Sequence, residues 1–318
     1  VHPNIIRLHG ALRRQAEGGR GYEYLYVLEL CKKGSLAKHV TPRAAGGMPP
    51  KLREARLLQY FVDTCRGVAH MHAQTPPMAH RDLKLENVLC TEKSVCKLCD
   101  FGSATTHTLD CSTASRKERL DEEDLISRYT TAWNRSPEML DLHRGQLINE
   151  KVDVWALGCL LFTLAFQKHP FDSESPLQIL NCRWDFPERS PYSPELHGLV
   201  IACLEPNPAK RPTVFEITER AAVTYGEKMA AELTGADDGS GGAFGDGAYG
   251  QVGGFGAADT PDEPRVGGGS ADSFERSMHA AGHAPRAPSG GAEWNAEFGD
   301  ADFDDAFGGG GVSAAAAA

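Results

Sequence analysis

Residues 80–102 read His80-Arg81-Asp82-Leu83-Lys84-Leu85-Glu86-Asn87-Val88-Leu89-Cys90-Thr91-Glu92-Lys93-Ser94-Val95-Cys96-Lys97-Leu98-Cys99-Asp100-Phe101-Gly102. Asp82 and Asn87 stand five positions apart, and Asp100 follows Asn87 by thirteen. The apolar runs around Val88–Leu89 and Val95–Leu98 are short enough to be strands. They would set a turn carrying Asp82 and Asn87 beside a second turn carrying Asp100. That grouping supplies a carboxylate able to accept a proton and oxygen donors of the kind hard Mg²⁺ prefers. His-Arg-Asp or Asp-Phe-Gly alone would carry little weight. In this order and at this separation they stop looking like chance.

The stretch resembles the catalytic loop and metal-binding turn of protein kinases. Phosphoryl transfer needs a carboxylate to receive the substrate hydroxyl proton and oxygen ligands to hold Mg²⁺ on the nucleotide phosphates. The resemblance gives Asp82, Lys84, Asn87 and Asp100 as catalytic residues, with Asn87 and Asp100 as the metal ligands. It extends downstream. Arg135-Ser136-Pro137-Glu138 stands in the place of the Ala-Pro-Glu element, and Asp153-Val154-Trp155-Ala156-Leu157-Gly158 is similar to the start of the central buried helix. Arg211, in Pro208-Ala209-Lys210-Arg211-Pro212, sits where kinases keep the partner of Glu138. Lys84 and Thr131 fit the serine/threonine class rather than the tyrosine class.

Upstream, Val1-His2-Pro3-Asn4-Ile5-Ile6 resembles the loop after the regulatory helix and the start of the fourth strand of the kinase fold. Leu28 would then be the gatekeeper, and Glu29, Leu30 and Cys31 the hinge that hydrogen-bonds adenine. Leu89 would form the apolar floor under the base, and Cys99 would line the nucleotide pocket. The resemblance thus implies ATP and Mg²⁺ as cofactors. It also implies an α+β, protein-kinase-like fold: mainly the helical C-lobe, plus the fourth and fifth strands of the N-lobe, with a disordered C-terminal tail.

Leu98-Cys99-Asp100-Phe101-Gly102-Ser103-Ala104-Thr105, Tyr129-Thr130-Thr131, Asp153 to Leu161 and Leu204-Glu205-Pro206-Asn207-Pro208 are similar to the Numb-associated kinase family, which includes adaptor-associated and cyclin-G-associated kinases. Trp133-Asn134 and Ser136 depart from that family's usual residues beside the peptide-binding segment, which leaves peptide preference open. The family implies phosphorylation of Ser/Thr in endocytic adaptors, in the cytoplasm and at clathrin-coated membranes. Phe303-Asp304-Asp305-Ala306-Phe307 fits F-x-D-x-F, a pattern in which Phe303 and Phe307 would fill pockets of a clathrin-adaptor ear domain while Asp305 meets a basic rim. A linker rich in Asp and Phe also produces such triplets by accident.

Around this centre, residues 5–12 and 22–31 read as a hairpin separated by Gly18-Gly19-Arg20-Gly21. Leu57, Leu58, Phe61, Val62, Cys65, Val68 and Met71 recur at helical spacing. Val154 to Phe166 is the longest apolar stretch but too short for a bilayer, which needs roughly 20 residues, so it reads as a buried helix. The pattern stays helical to about residue 225. From about Gly235, Gly, Ala, Asp and Ser dominate, and such a segment cannot bury enough apolar surface to order itself. We therefore expect a kinase domain over 1–228 and a disordered acidic tail over 229–318.

The net charge of −10 follows this division, because residues 229–318 carry 15 Asp/Glu against 3 Arg. A near-neutral globular part with an acidic tail gives no reason to expect nucleic-acid binding. Nine scattered cysteines, an odd number, point to a reducing compartment rather than a disulfide framework. Cys96-Lys97-Leu98-Cys99 lies in the strand leading to Asp100 and reads as packing, not as half of a zinc site. His70 and His72 read as cap or surface residues. Ser112, Thr113, Ser115, Thr130 and Thr131 fall in an activation segment over 100–138, where a phosphate could pair with Arg81.

No G-x-G-x-x-G precedes residue 80. Lys32 and Lys33 follow the hinge, so neither can be the phosphate-binding lysine, and its glutamate partner is missing too. The chain therefore reads as lacking its true N-terminus, and expressed alone it is expected to be nearly inactive. Two other readings stay open: a pseudokinase scaffold that recruits adaptors through its tail, and, less well fitting, a metabolic phosphotransferase of the same fold.

Overall fold

The computed structural model describes residues 1–16, 21–41, 48, 50–171 and 176–234. The tail motif at 303–307 lies outside the described residues. The architecture is α+β. Beyond the first pair its strands are only two or three residues long, and its helices carry the core.

An antiparallel pair opens the chain: β1 (Leu8–Gln15) and β2 (Tyr22–Leu28), with Ala11 opposite Tyr26 and Leu12 opposite Leu25. The expected hairpin is present, shifted toward the C-terminus in its first strand. Tyr22, Tyr24 and Tyr26 all point to solvent. β3 (Gly34–Ser35) then joins β4 (Val88–Cys90) and β5 (Cys96–Leu98) in a three-stranded antiparallel sheet, with Leu89 opposite Lys97. The segment before β1 is stitched to β5. Ile6 N donates to Leu98 O at 2.8 Å, Leu98 N to Asn4 O at 2.9 Å, and Asn4 Nδ2 to Cys96 O at 2.9 Å.

α1 (Glu54–His72) buries Leu57, Leu58, Phe61, Val62, Cys65 and Val68, the stripe its spacing announces. Gly67 is required on that face, because a Cβ there would lie 2.7 Å from Asn4 O. Downstream come α2 (Arg116–Tyr129), α3 (Pro137–Leu140) and α4 (Lys151–Phe166), with β6 (Leu109–Asp110) paired to β7 (Leu147–Ile148). α4 is apolar all round because it is enclosed all round. Trp155, Leu157, Leu161 and Phe162 are fully buried, each apolar side chain contributing about 1.5–3 kcal/mol by leaving water. Trp155 stacks on Phe171 at 5.5 Å. Gly158 lets α4 approach the end of α6, since a Cβ there would meet Cys203 Cβ at 2.7 Å. α4 ends where Gln167 turns left-handed at φ 57°.

After α5 (Pro176–Leu180) and α6 (Pro194–Cys203, capped by the Ser193 side chain), α7 (Val214–Thr234) packs along α1. It continues past residue 228 to Thr234. All nine cysteines are free. Cys96 is buried in β5 with its Sγ 3.3 Å from that of Cys90, opposite it on β4. Among the described residues no helix is long and apolar enough to cross a membrane.

Candidate functional site

The loop after α1 is anchored from below by one carboxylate. Asp153, in the first turn of α4 and fully buried, accepts His80 N at 2.7 Å, Arg81 N at 2.8 Å and His72 Nε2 at 2.9 Å. Burial alone would raise its pKa. The bond and charge of His72, with His80, outweigh that and hold it below the usual aspartate value. His72 is therefore buried against Asp153, not a cap or surface residue. A His at the last position of a helix gives no sequence signal for this, because its partner lies 81 positions away. Arg81 adopts φ 62°, a left-handed conformation that costs a non-glycine residue free energy and is retained where surrounding contacts enforce it. The two bonds to Asp153 are those contacts.

Asp82 projects from this anchored turn, 8% exposed, and both of its carboxylate oxygens are bonded. Oδ2 accepts Lys84 Nζ at 2.7 Å and Asn87 Nδ2 at 3.1 Å. Oδ1 accepts Thr131 Oγ1 at 2.6 Å and Thr131 N at 3.1 Å. Lys84 Nζ also reaches Thr131 Oγ1 at 3.0 Å. A carboxylate so held presents one orientation, which is what a proton acceptor in catalysis requires. Asn87 Nδ2 additionally donates to Asp82 O at 2.9 Å, so the donor this side chain retains for a cation is its amide oxygen.

The second turn is bound to the first through backbone. Cys99 N donates to Asn87 O at 3.0 Å, and His80 Nε2 lies 3.2 Å from Cys99 O. Phe101 packs on the His80 ring at 5.4 Å. Asp100, at φ 62°, accepts Gly102 N at 3.4 Å. Ala79 and Thr105 form an antiparallel bridge behind both turns. The Asn87 amide oxygen and the Asp100 carboxylate are oxygen donors of the kind hard Mg²⁺ takes.

The expected adenine-side residues sit where β2 runs out. Leu28 closes β2 and is exposed, Leu30 is exposed, and Cys31 is buried. Glu29 is tied down by Lys97 at 2.7 Å and by Arg7 N at 2.8 Å. Leu89 is half-buried in β4. Desolvation pushes the Cys99 thiol up to about 11, with the charges of Asp100 and Cys31 adding to it. Lys32 and Lys33 point elsewhere, to Glu92 at 2.8 Å and Ser94 Oγ at 2.6 Å.

Below the site, Arg211 and Glu138 form a bidentate pair at 2.7 and 3.0 Å, with both side chains wholly buried. Asn134 Nδ2 donates to Leu83 O at 3.1 Å, and His169 Nε2 lies 3.1 Å from Asn134 Oδ1. Trp133 remains 44% exposed beside them. Two features escaped the sequence reading. Residues 116–129 form helix α2, and its Glu122 pairs with Arg81 at 2.8 Å. The helix did leave a signal: Ser115-Arg116-Lys117-Glu118 is a capping box, and both of its reciprocal bonds form.

The pattern of the protein kinase domain matches residues 1–222, and the chain belongs to the protein kinase family. A probable serine/threonine-protein kinase of Dictyostelium discoideum is 45% identical over 217 residues, covering 68% of this chain and 26% of the relative. A second from that organism is 40% identical over 220 residues, covering 69% and 19%. Actin-regulating kinase 1 of Saccharomyces cerevisiae (strain ATCC 204508 / S288c) is 37% identical over 202 residues, covering 64% and 31%. The chain thus spans between a fifth and a third of the length of these relatives.

Proposed function

We propose that the protein is a serine/threonine kinase that transfers the γ-phosphoryl group of ATP to hydroxyls of protein substrates. One observation carries the reading: the Asp82 carboxylate is held by Lys84, Asn87 and Thr131 in a single orientation. Asp82 accepts the proton of the attacking hydroxyl. Lys84, bonded to both Asp82 and Thr131, supplies positive charge where negative charge develops during transfer. Asn87 and Asp100 are the residues that would hold Mg²⁺, which when bound neutralises charge on the nucleotide phosphates. Leu28, Glu29, Leu30, Cys31, Leu89 and Cys99 form the side that receives the nucleotide base. Lys84 and Thr131 together favour Ser/Thr over Tyr.

The finer assignment is to the Numb-associated kinases, with endocytic adaptors as substrates in the cytoplasm and at clathrin-coated membranes. It rests on Cys99 to Thr105 and on the tail pattern Phe303, Asp305, Phe307. The name of the yeast relative connects that protein to actin regulation, so actin-associated proteins join adaptors on the substrate panel. The test is transfer of labelled phosphate from ATP to Thr- and Tyr-containing peptides by the full-length protein. Incorporation into Thr peptides is expected. Binding of a peptide spanning residues 299–311 to an adaptor ear without any phosphotransfer would favour the scaffold reading instead.

A further inference from the structure

Cys90 and Cys96 bring into contact two thiols that the phosphotransfer site does not use. They face each other across β4 and β5, with their sulfurs 3.3 Å apart. On either side of them the ladder is closed by backbone bonds: Thr91 N donates to Val95 O at 3.0 Å, and Cys99 N to Asn87 O at 3.0 Å. Bonded and unbonded pairs alternate along an antiparallel ladder, so Cys90 and Cys96 are an unbonded pair. Cα atoms in such pairs stand about 4.5 Å apart, inside the roughly 4.4–6.8 Å that disulfides span. The backbone is already placed for a bond, and only the sulfurs must close, to about 2.05 Å. Among the described residues no third His, Cys, Asp or Glu completes a metal site around them.

The two thiols are not equivalent. The bond from the Cys96 thiol holds Cys90 below the usual cysteine value, helped by the charges of Lys38 and Lys33. The same bond, with burial, pushes Cys96 up. Cys90 is thus the readier thiolate, and the thiolate is the nucleophile. Both side chains are buried, 1% and 0% exposed, but they flank a surface turn in which Glu92 and Lys93 face solvent. Ser94 in that turn holds φ 62°, a conformation that costs a non-glycine residue free energy. Short, exposed and strained turns open locally at low cost, and a molecule hardly larger than water needs no wider entrance.

We propose that Cys90 and Cys96 form an oxidisable dithiol, which a peroxide converts to a disulfide within the folded chain. The Cys90 thiolate attacks one peroxide oxygen. An S–O bond forms, the O–O bond breaks, and the departing hydroxide takes up the proton Cys90 lost and leaves as water. Cys96 then attacks the Cys90 sulfur. The S–S bond forms, the S–O bond breaks, and the second hydroxide leaves as water with the proton of the Cys96 thiol. The two sulfurs give up two electrons, which reduce one peroxide to two waters. In a reducing compartment such a bond is transient. While it lasts it fastens the hairpin that leads from Asn87 at one end to Asp100 at the other. The inference is independent of the phosphotransfer reading.

The test treats the reduced full-length protein with hydrogen peroxide, blocks remaining thiols with an alkylating reagent and digests without reductant. Trypsin cuts after Lys84, Lys93 and Lys97, so the bond appears as peptides 85–93 and 94–97 joined, lighter by two hydrogens than their sum and separated by dithiothreitol. Oxidised wild type should unfold at a higher temperature than reduced, because the crosslink constrains the unfolded chain; peroxide-treated Cys96→Ser should show no such rise. Cys96→Ser should instead accumulate sulfenic acid at Cys90, trapped by dimedone, whereas Cys90→Ser should leave Cys96 unlabelled. Cys96→Ala replaces Cys96→Ser if the latter does not fold. The proposal is overturned if Cys90 and Cys96 stay alkylatable once peroxide has oxidised a free-cysteine standard. It is equally overturned if Cys90 links to Cys31 or Cys99 instead, if the Cys90–Cys96 link appears only in denaturant, or if oxidation leaves Tm unchanged or lower. Dimedone labelling of Cys96 in Cys90→Ser as fast as that of Cys90 in Cys96→Ser overturns the assignment of Cys90 as the attacking thiol.

Discussion

Replacing Glu138 by Gln is nearly isosteric and removes one charge from the most enclosed ion pair of the described structure. Arg211 then keeps its bonds to the carbonyls of Glu205 at 2.8 Å and Lys151 at 2.9 Å, and its place 5.3 Å from the Trp155 ring. It loses the carboxylate that faced it at 2.7 and 3.0 Å. Breaking one side of a buried pair costs about 3–5 kcal/mol. The surviving carbonyl acceptors place this case at the lower end, about 3 kcal/mol. A domain of this size loses about 2–4 °C of Tm per kcal/mol, so the expected fall is roughly 6–12 °C. Thermal unfolding followed by circular dichroism reads it directly. Asp121→Asn is the control: it breaks a pair with Lys117 whose side chains are 60% and 84% exposed, and so solvent-screened a pair should leave Tm where it was. Equal Tm values for the two variants would refute the argument that burial sets the worth of these pairs.

Gly67→Ala should destabilise by about 1–3 kcal/mol through overpacking against Asn4 O. Gly198→Ala, with nothing within 4 Å of the new Cβ, should stabilise α6 by about 0.5–1 kcal/mol; denaturant midpoints separate the two. Asp153 is more acidic folded than unfolded, so its contribution is full above the unfolded value of about 3.9 and is lost as pH falls through the lower folded value. The stability gap between wild type and Asp153→Asn should accordingly shrink below that pH in denaturation titrations. Cys99, with its thiol near 11, should alkylate slowly at neutral pH, react faster as pH rises toward that value, and be protected by nucleotide, as followed by peptide mass spectrometry.

What could be read in advance followed from range. The helical stripe of α1, the apolar run of α4 and the strands around Val88 and Val95 are local patterns, and each appears with the residues that announced it. Asp82, Asn87 and Asp100 stood out because their spacing is short and chemically constrained, and the structure joins the turns that carry them through Asn87 Nδ2 to Asp82 Oδ2 and Cys99 N to Asn87 O; Lys84 came through resemblance. Thr131 came only through resemblance, since no local rule connects it to a carboxylate 49 positions earlier. His72 and Glu122 were illegible for a different reason. A buried His or Glu looks like a surface one until its partner is known, and Asp153 and Arg81 lie 81 and 41 positions away. α2 is strongly polar, so hydrophobic periodicity could not reveal it, although its capping box could have. Where the expected first strand began three residues early, the boundary rested on alternation alone, which does not fix register.

The most direct measurement is single-turnover transfer from Mg·ATP to a Thr peptide by the full-length protein, comparing wild type with Asp82→Asn. Removing the proposed proton acceptor should slow the chemical step by about 10²- to 10⁴-fold while leaving Mg·ATP bound, because Asn87 and Asp100, the proposed metal ligands, remain. An Asp82→Asn enzyme that transfers phosphate at the wild-type rate would contradict the account at its centre.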